Sequence, residues 1–232
     1  MVTEPGVAGL VEHQLAEYAP PPHRGLDIAH ADDAFLVVNK PSGLLSVPGR
    51  GEKFHDSLAS RVLLEFPQAL IVHRLDMQTS GLLVMALGAQ AHRELSDLFQ
   101  KRLVHKRYEA IVAGMMEADS GEVALPLITD WPNRPRQKVD WTEGKPALTH
   151  WRVLARDAVQ DSTRVELTPV TGRSHQLRVH MMSIGHAIVG DPLYADEDVR
   201  ARADRLLLHA AELTLQHPRT GEWVRIASPI PF

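Results

Sequence analysis

Apolar residues recur along this chain in two rhythms, and each rhythm predicts an element. Phe35-Leu36-Val37-Val38-Asn39-Lys40 reads as a strand halted by Pro41-Ser42-Gly43. Leu70-Ile71-Val72 and Leu82 to Ala86 are two further apolar runs, and the stretch between them, His73 to Gly81, is densely polar. A polar loop held between buried strands is a frequent carrier of functional groups. Ala91, Leu95, Leu98, Phe99 and Leu103 then fall at spacings of three and four, which predicts a helix over Ala89 to Leu103. Lys101 and Arg102 lie at its C-terminal end, where the helix dipole favours cations. Strand character returns at Tyr108 to Val112 and at Thr149 to Leu154. Val165, Leu167 and Pro169 alternate with Arg164, Glu166 and Thr168, the period of a half-buried strand. Thr171-Gly172-Arg173 predicts a turn, after which Ser174 is placed to N-cap a helix from His175 to Ile184 that Gly185 ends.

Residues 1–25, with Pro20-Pro21-Pro22 and little apolar periodicity, predict an extended N-terminal arm with one short helix around Leu10 to Tyr18. Residues 26–232 predict one domain, a mixed sheet with helices on its faces, with no internal repeat and no low-complexity tract. Composition agrees with such a domain: 44% of the 232 residues are hydrophobic and 23% charged, which excludes global disorder, a coiled coil and a collagen-like chain. Cysteine is absent, so disulfides, a Cys nucleophile and thiolate metal sites are excluded together. The N-terminus has no basic segment leading into an apolar one, and no apolar run approaches the roughly 20 residues a membrane span needs. The expectation is a soluble, cytoplasmic protein.

The net charge of −4 argues mildly against a nucleic-acid partner, but placement matters more than the sum. Lys101, Arg102, Lys106 and Arg107 lie between Leu98 and Tyr108 with no acid among them. Arg134, Arg136 and Lys138 follow Trp131 in one Pro-broken loop, and Arg173, His175, Arg178 and His180 form a third cluster. Any one cluster reads first as a solvated face. Three of them, each beside a stretch with chemistry of its own, shift the balance towards a polyanion.

The first such stretch is His73-Arg74-Leu75-Asp76-Met77-Gln78-Thr79-Ser80-Gly81. An Asp at a strand end with an Arg two residues before it has the makings of an ionised nucleophile or base, and Thr79-Ser80-Gly81 can close a tight turn. A structural salt bridge at a strand terminus accounts for the same residues. The second is Thr171-Gly172-Arg173-Ser174-His175-Gln176-Leu177-Arg178-Val179-His180. A helix starting there offers free backbone N–H groups to an anion. On it His175 and Arg178 share a face opposite a core stripe of Leu177, Met181 and Ile184, so Arg178 is free to meet a carboxylate; ordinary helix surface charge is the alternative. Tyr108 opens a strand beside Lys106 and Arg107, either as a buried phenol or as a stacking platform for a base. Trp131-Pro132-Asn133-Arg134-Pro135-Arg136-Gln137-Lys138 interleaves an aromatic with cations, as a nucleic-acid-gripping loop or a rigid solvent loop would. The 13 histidines show no H-E-x-x-H spacing, and His175 and His180, five apart, do not share a helix face. No metal site is assigned, and no Gly-rich nucleotide motif is present.

Taken together, residues 73–81, Lys106 to Ala110 and residues 171–180 resemble the motif set of the RluA-type pseudouridine synthases. Asn39 to Gly43, Gly190-Asp191-Pro192-Leu193-Tyr194 and Leu207-Leu208-His209-Ala210 add to the resemblance, which runs from about residue 35 to 210 in the family's order. Leu44 to Arg50 and Asp130 to Pro135 are similar to the family's dual-specificity branch, which modifies 23S rRNA and an anticodon stem-loop of tRNA. The resemblance implies an α+β fold, a mixed, largely antiparallel sheet flanked by helices and loops, without the S4 RNA-binding domain of several relatives. It implies isomerisation of uridine to pseudouridine with no cofactor and no metal, on tRNA and 23S rRNA; a single-domain monomer is the simpler expectation for the oligomeric state.

By the same resemblance Asp76 is the catalytic carboxylate, Arg178 its partner, and Tyr108 the residue that stacks on the uracil. Arg74 enters the RNA as the uridine flips out. Lys106, Arg107, Arg134, Arg136, Lys138, Arg173 and His175 are the further candidate RNA contacts. Two other readings stay open at this point, a non-catalytic RNA-binding or ribosome-assembly protein on the same fold, and a metal-dependent hydrolase built on the histidines.

Overall fold

The computed structural model describes residues 18–232. The short helix expected around Leu10 to Tyr18 falls, but for Tyr18, outside them. Tyr18 and Pro21 already belong to the packed domain: the Tyr18 hydroxyl donates to Asp56 O at 2.8 Å, and Arg61 donates to Pro21 O at 2.6 Å.

Ten strands form one sheet in the order β1-β2-β4-β11-β5-β10-β9-β6, with β3 paired to β4 and β12 to β11. In chain order these are β1 (Ile28–Ala31), β2 (Phe35–Lys40), β3 (Ala69–Ile71), β4 (Ser80–Leu87), β5 (His105–Ala113), β6 (Ser120–Ala124), β9 (Leu148–Asp157), β10 (Ser162–Pro169), β11 (Leu208–Gln216) and β12 (Trp223–Ala227). A separate two-stranded hairpin joins β7 (Leu127–Thr129) to β8 (Gln137–Val139). The helices are α1 (Leu58–Glu65), α2 (Ala89–Gln100), α3 (Gln176–Ser183) and the short α4 (Glu197–Ala201). Every strand pairing is antiparallel except β4 with β11, so the mixed, largely antiparallel α+β sheet expected from the sequence is the one observed.

Burial on both faces explains why residues 35–38 of β2 and 82–87 of β4 are apolar without a break. Phe35, Val37, Leu82, Val84 and Ala86 pack on one face against α2 through Ala91 and Leu95. Leu36, Val38, Leu83 and Met85 pack on the other against α1 through Leu58 and Val62. A strand covered on both faces needs apolar residues at every position rather than at every second one. A third core joins β5, β10 and β11 to α3 through Ala110, Val112, Val165, Leu167, Leu177 and Met181.

Three predicted boundaries shift. Helix α2 ends at Gln100, because Arg102 adopts a left-handed backbone (φ 60°) that turns the chain into β5 and leaves Leu103 outside the helix. The presumed loop after Trp131 is a single 3-10 turn followed by β8. Helix α3 begins at Gln176 with His175, not Ser174, at its N-cap.

The parallel contact between β4 and β11 depends on Gly81. Its φ is +107°, and an added Cβ would stand 2.3 Å from Ala210 O and 2.6 Å from Ala210 N. Gly81→Ala therefore combines backbone strain with a clash against a central strand. The expected loss is on the order of 3 kcal/mol, read as a lowered urea midpoint with an unchanged m-value.

Candidate active site

Loop 73–79 leaves β3, crosses the sheet face and enters β4, and its backbone is held from beneath by residues 40–46. The Lys40 ammonium, buried, donates to the carbonyls of Pro41, Leu44 and Met77 at 2.7–2.9 Å, one acceptor for each N–H. Ser42 Oγ donates to Gln78 O at 2.7 Å and Gly43 N to Met77 O at 2.9 Å. Ser46 Oγ donates to Leu75 O and accepts from Leu75 N. Burial lowers the Lys40 pKa to about 7, with the nearby Asp76 carboxylate opposing the shift. Sequence reasoning placed this segment among the family motifs without giving it a task; its task is to fix the loop that carries Asp76.

His73 anchors the other end of the loop. Its Nε2 accepts from Val84 N at 2.9 Å, and its ring stacks on Phe99 with centroids 4.5 Å apart. Burial pulls its pKa down to about 3, and the Lys106 ammonium adds to the effect.

Asp76, partly exposed, faces a cavity of about 550 Å³, within the range of small-ligand sites. Arg74, Arg102, Lys106, Arg173 and Arg178 line it with Tyr108, His175 and Leu208, and among the described residues Asp76 is the only carboxylate that does so. Arg178 Nη1 lies 3.5 Å from Asp76 Oδ2. The same guanidinium makes a bidentate pair with fully buried Asp191, Nε to Oδ2 at 2.8 Å and Nη2 to Oδ1 at 2.7 Å. Asp191 Oδ1 also accepts from Leu193 N and Tyr194 N, and the Tyr194 ring lies under the guanidinium at 5.0 Å. Burial opposes the charge on Arg178, and Asp191 and then Asp76 more than restore it.

The expectation that Arg178 lies on an outward helix face is corrected. Its side chain is 3% exposed, because residues 176–181 are all buried and α3 has no solvent face there, while Ile184 falls beyond the helix end and is exposed. The anion-binding turn is also partly spent, since Gln176 Oε1 accepts from Arg173 N and from the Thr171 hydroxyl. Strand alternation divides the other candidates. Lys106 and Tyr108 project from β5 into the cavity, whereas Arg107 lies on the opposite face, 2.8 Å from Glu109 and 3.5 Å from Glu212. Burial, with Asp76 adding to it, holds the Tyr108 hydroxyl well above its ordinary pKa, so it stays a neutral phenol. Arg134, Arg136 and Lys138 sit outside the cavity on the hairpin. There Arg134 covers the exposed ring of Trp131 at 4.4 Å, and Lys138 lies 3.5 Å from Asp140. His175 is not a surface cation: its Nδ1 meets the Tyr194 hydroxyl at 2.7 Å, and its Nε2 stands 3.9 Å from Asp76 Oδ1.

Among the described residues one group, Asp32, Asp33 and His217, brings metal-ligating atoms together, away from the cavity. Asp33 is paired with Arg219, and Asp32 Oδ2 meets His30 Nε2 at 2.6 Å.

A sequence model described as RNA pseudouridylate synthase matches residues 34–183, which span the loop, β5 and α3. The chain belongs to the RNA pseudouridylate synthase family. Dual-specificity RNA pseudouridine synthase RluA of Pasteurella multocida is 52% identical to this synthase over 218 residues, covering 94% of this chain and 99% of that one. The protein of the same name from Escherichia coli K12 is 51% identical over the same span. Among solved structures, human RNA Pseudouridylate Synthase Domain Containing 1 superposes with a TM-score of 0.77 at 31% identity, covering 92% of this chain and 87% of that one.

Two outcomes follow from this geometry. Asp191→Ala strands the buried guanidinium, and a stability loss of about 3–5 kcal/mol with loss of turnover is expected from denaturant titration and isomerisation assays. His73 has a folded pKa below its unfolded value, so the unfolded state binds more protons and stability falls as pH drops from about 6.5 towards 3. Its share is up to about 2 kcal/mol between pH 7 and pH 5. His73→Gln, which keeps an acceptor for Val84 N, should flatten that part of the stability–pH curve.

Proposed function

We propose that this pseudouridine synthase isomerises uridines in stem-loops of tRNA, the anticodon stem-loop among them, and of 23S rRNA, with Asp76 as the catalytic carboxylate. The reaction breaks the bond between uracil N1 and ribose C1′, turns the base and joins C5 to C1′, with one proton lost at C5 and one gained at N1. Nothing is oxidised and no group leaves, so the chemistry needs a carboxylate beside the sugar, a surface to hold the loose base and a dry pocket. Among the described residues, a sole carboxylate lining the cavity with five cationic side chains, addressed by a buried guanidinium, is the observation that carries this reading. Arg178 directs Asp76, and its charge stabilises the carboxylate in a partly desolvated pocket. Tyr108, a neutral phenol on the cavity wall, supplies the stacking surface for uracil.

Arg74 is exposed at the mouth, placed to fill the gap left by the extruded uridine. Flipping costs a few kcal/mol, less in a loop whose bases are already partly unstacked, and phosphate contacts from Lys106 and Arg173 offset it. Arg134, Arg136 and Lys138 on the β7–β8 hairpin extend the grip on the backbone. Arg107, bound by glutamates on the far face, drops out of the RNA-contact set. We place the protein in the cytoplasm, acting as a monomer; among the described residues no helix is long and apolar enough to cross a membrane.

Chemical mapping of pseudouridines in tRNA and rRNA, with and without the protein, tests the substrate assignment. Asp76→Asn should reduce isomerisation by at least about 10³-fold while the RNA dissociation constant stays within a few-fold. Normal turnover by this variant would remove Asp76 from the chemistry.

A further inference from the structure

His175 occupies an unusual position. At a helix N-cap the backbone is ordinarily extended, and here it is left-handed, φ 54° and ψ 17°. The other two described non-Gly residues with positive φ, Arg102 and Asp161, lie at a helix end and in a strand-to-strand turn, where such backbone is common. At His175 the conformation brings the imidazole back over the cavity, between Tyr194 and Asp76. Strain of this kind persists only where surrounding contacts hold it, and it gathers at functional sites.

The hydroxyl of Tyr194 decides the proton on that imidazole. Gln137 N, from β8, donates to the Tyr194 oxygen at 2.7 Å. The O–H of Tyr194 is then left to donate, and His175 Nδ1, at 2.7 Å, is the acceptor it meets. The phenol oxygen has a second lone pair for an Nδ1–H, but the buried O–H would then lack an acceptor among the described residues. The arrangement that satisfies both groups leaves Nδ1 unprotonated and the proton on Nε2, which lies 3.9 Å from Asp76 Oδ1. Burial keeps the ring neutral by lowering its pKa; Asp76 and Asp191 oppose this shift, and Arg178 and Arg74 add to it. The two carboxylate oxygens thus face different groups, Oδ2 the Arg178 guanidinium and Oδ1 the imidazole N–H. A movement of about 1 Å closes the second contact to hydrogen-bond length, as catalytic contacts commonly do when substrate binds.

We propose that His175 and Tyr194 are a positioning pair for Asp76, in which the Tyr194 hydroxyl fixes the Nε2–H tautomer of His175 and that N–H orients the carboxylate oxygen Arg178 leaves open. The proposal rests on Asp76 being the catalytic carboxylate, and it changes the expected role of His175 from RNA contact to internal support. It also ties the hairpin to the chemistry, because the Gln137 N–H that orients Tyr194 lies between Arg136 and Lys138 on the surface assigned to RNA.

Substitutions at His175 separate positioning from scaffolding, because the two roles rank them in opposite order. Asn tolerates left-handed backbone and places its amide near Nδ1, so a structural role favours His175→Asn. Gln fits that backbone poorly but carries an N–H out to the Nε2 position, so a positioning role favours His175→Gln. With full-length protein and an RNA the wild type modifies, His175→Asn and Tyr194→Phe are expected to lower kcat roughly 10–100-fold with KM within about twofold. His175→Gln should retain most of kcat despite a lower melting temperature. Nitrogen-15 NMR of the imidazole in the unliganded wild type should show the Nε2–H tautomer, and Tyr194→Phe should lose it.

An activity order that follows stability, an effect confined to KM, or an Nδ1–H imidazole in the wild type would each overturn the pair. Turnover by Asp76→Asn would instead overturn the reading beneath it, and the two failures are distinguishable in the same assay.

Discussion

A guanidinium enclosed by protein cannot stand unpaired, and in this fold two carboxylates share Arg178. Asp191, with no exposure at all, takes two of its N–H groups in a planar bidentate geometry that a lysine could not reproduce. Asp76 receives the remaining edge at 3.5 Å. The division is unequal by design: the buried pair satisfies and aims the cation, and the looser contact leaves Asp76 able to move against a substrate. Asp191 is itself held by the backbone N–H groups of Leu193 and Tyr194. The support for the cavity therefore runs from a loop after α3, through the guanidinium, to a loop before β4.

The sheet brings these loops together. Residues 76 and 178 are far apart in sequence, and β4 reaches the β5–β11 half of the sheet only through its short parallel contact with β11 at Ser80 and Gly81. The network beside that contact explains the Leu207 to Ala210 motif. Ser80 Oγ and His209 Nδ1 are 2.8 Å apart, and His209 Nε2 meets Ser228 Oγ at 2.9 Å. Burial lowers the His209 pKa to about 4, so at neutral pH the ring serves as an uncharged hydrogen-bonding strut. What a sequence scan reports as scattered short motifs is, in three dimensions, one set of props beneath a single loop.

Apolar rhythm made the elements around the site legible. Strands β2, β4, β5, β9 and β10 and helix α2 lie where alternation and three-four spacing put them, because burial on one or both faces imposes those periods directly. Helix α1 went unread because its N-terminal signal is unusual: Ser57 and Ser60 form a capping box in which a serine stands where Glu or Gln is expected. Helix α3 was misread for the opposite reason. It is buried nearly all round, so Arg178, which with His175 reads as an outward face in sequence, pairs with Asp191 inside, and Gln176 and His180 both meet Thr149 there. Lys40 shows the same limit. A lysine at a strand end suggests solvent, and only the tertiary structure reveals three carbonyls around its ammonium.

Charge follows the same two-sided logic, which reconciles a net charge of −4 with a polyanionic substrate. Across β5, β10 and β11 the carboxylates Glu109, Glu166 and Glu212 gather on the face away from the cavity, where Arg107, Arg152 and Arg225 neutralise them. On the cavity face the balance among the described residues is five cationic side chains to one carboxylate. An approaching phosphate chain meets the local field rather than the sum, since screening at physiological salt confines each charge to roughly 8 Å. The one negative group among those lining residues, Asp76, is the carboxylate proposed for the chemistry. A uridine drawn in by its phosphates arrives beside a carboxylate that would repel it on an open surface, and the surrounding cations make that juxtaposition stable.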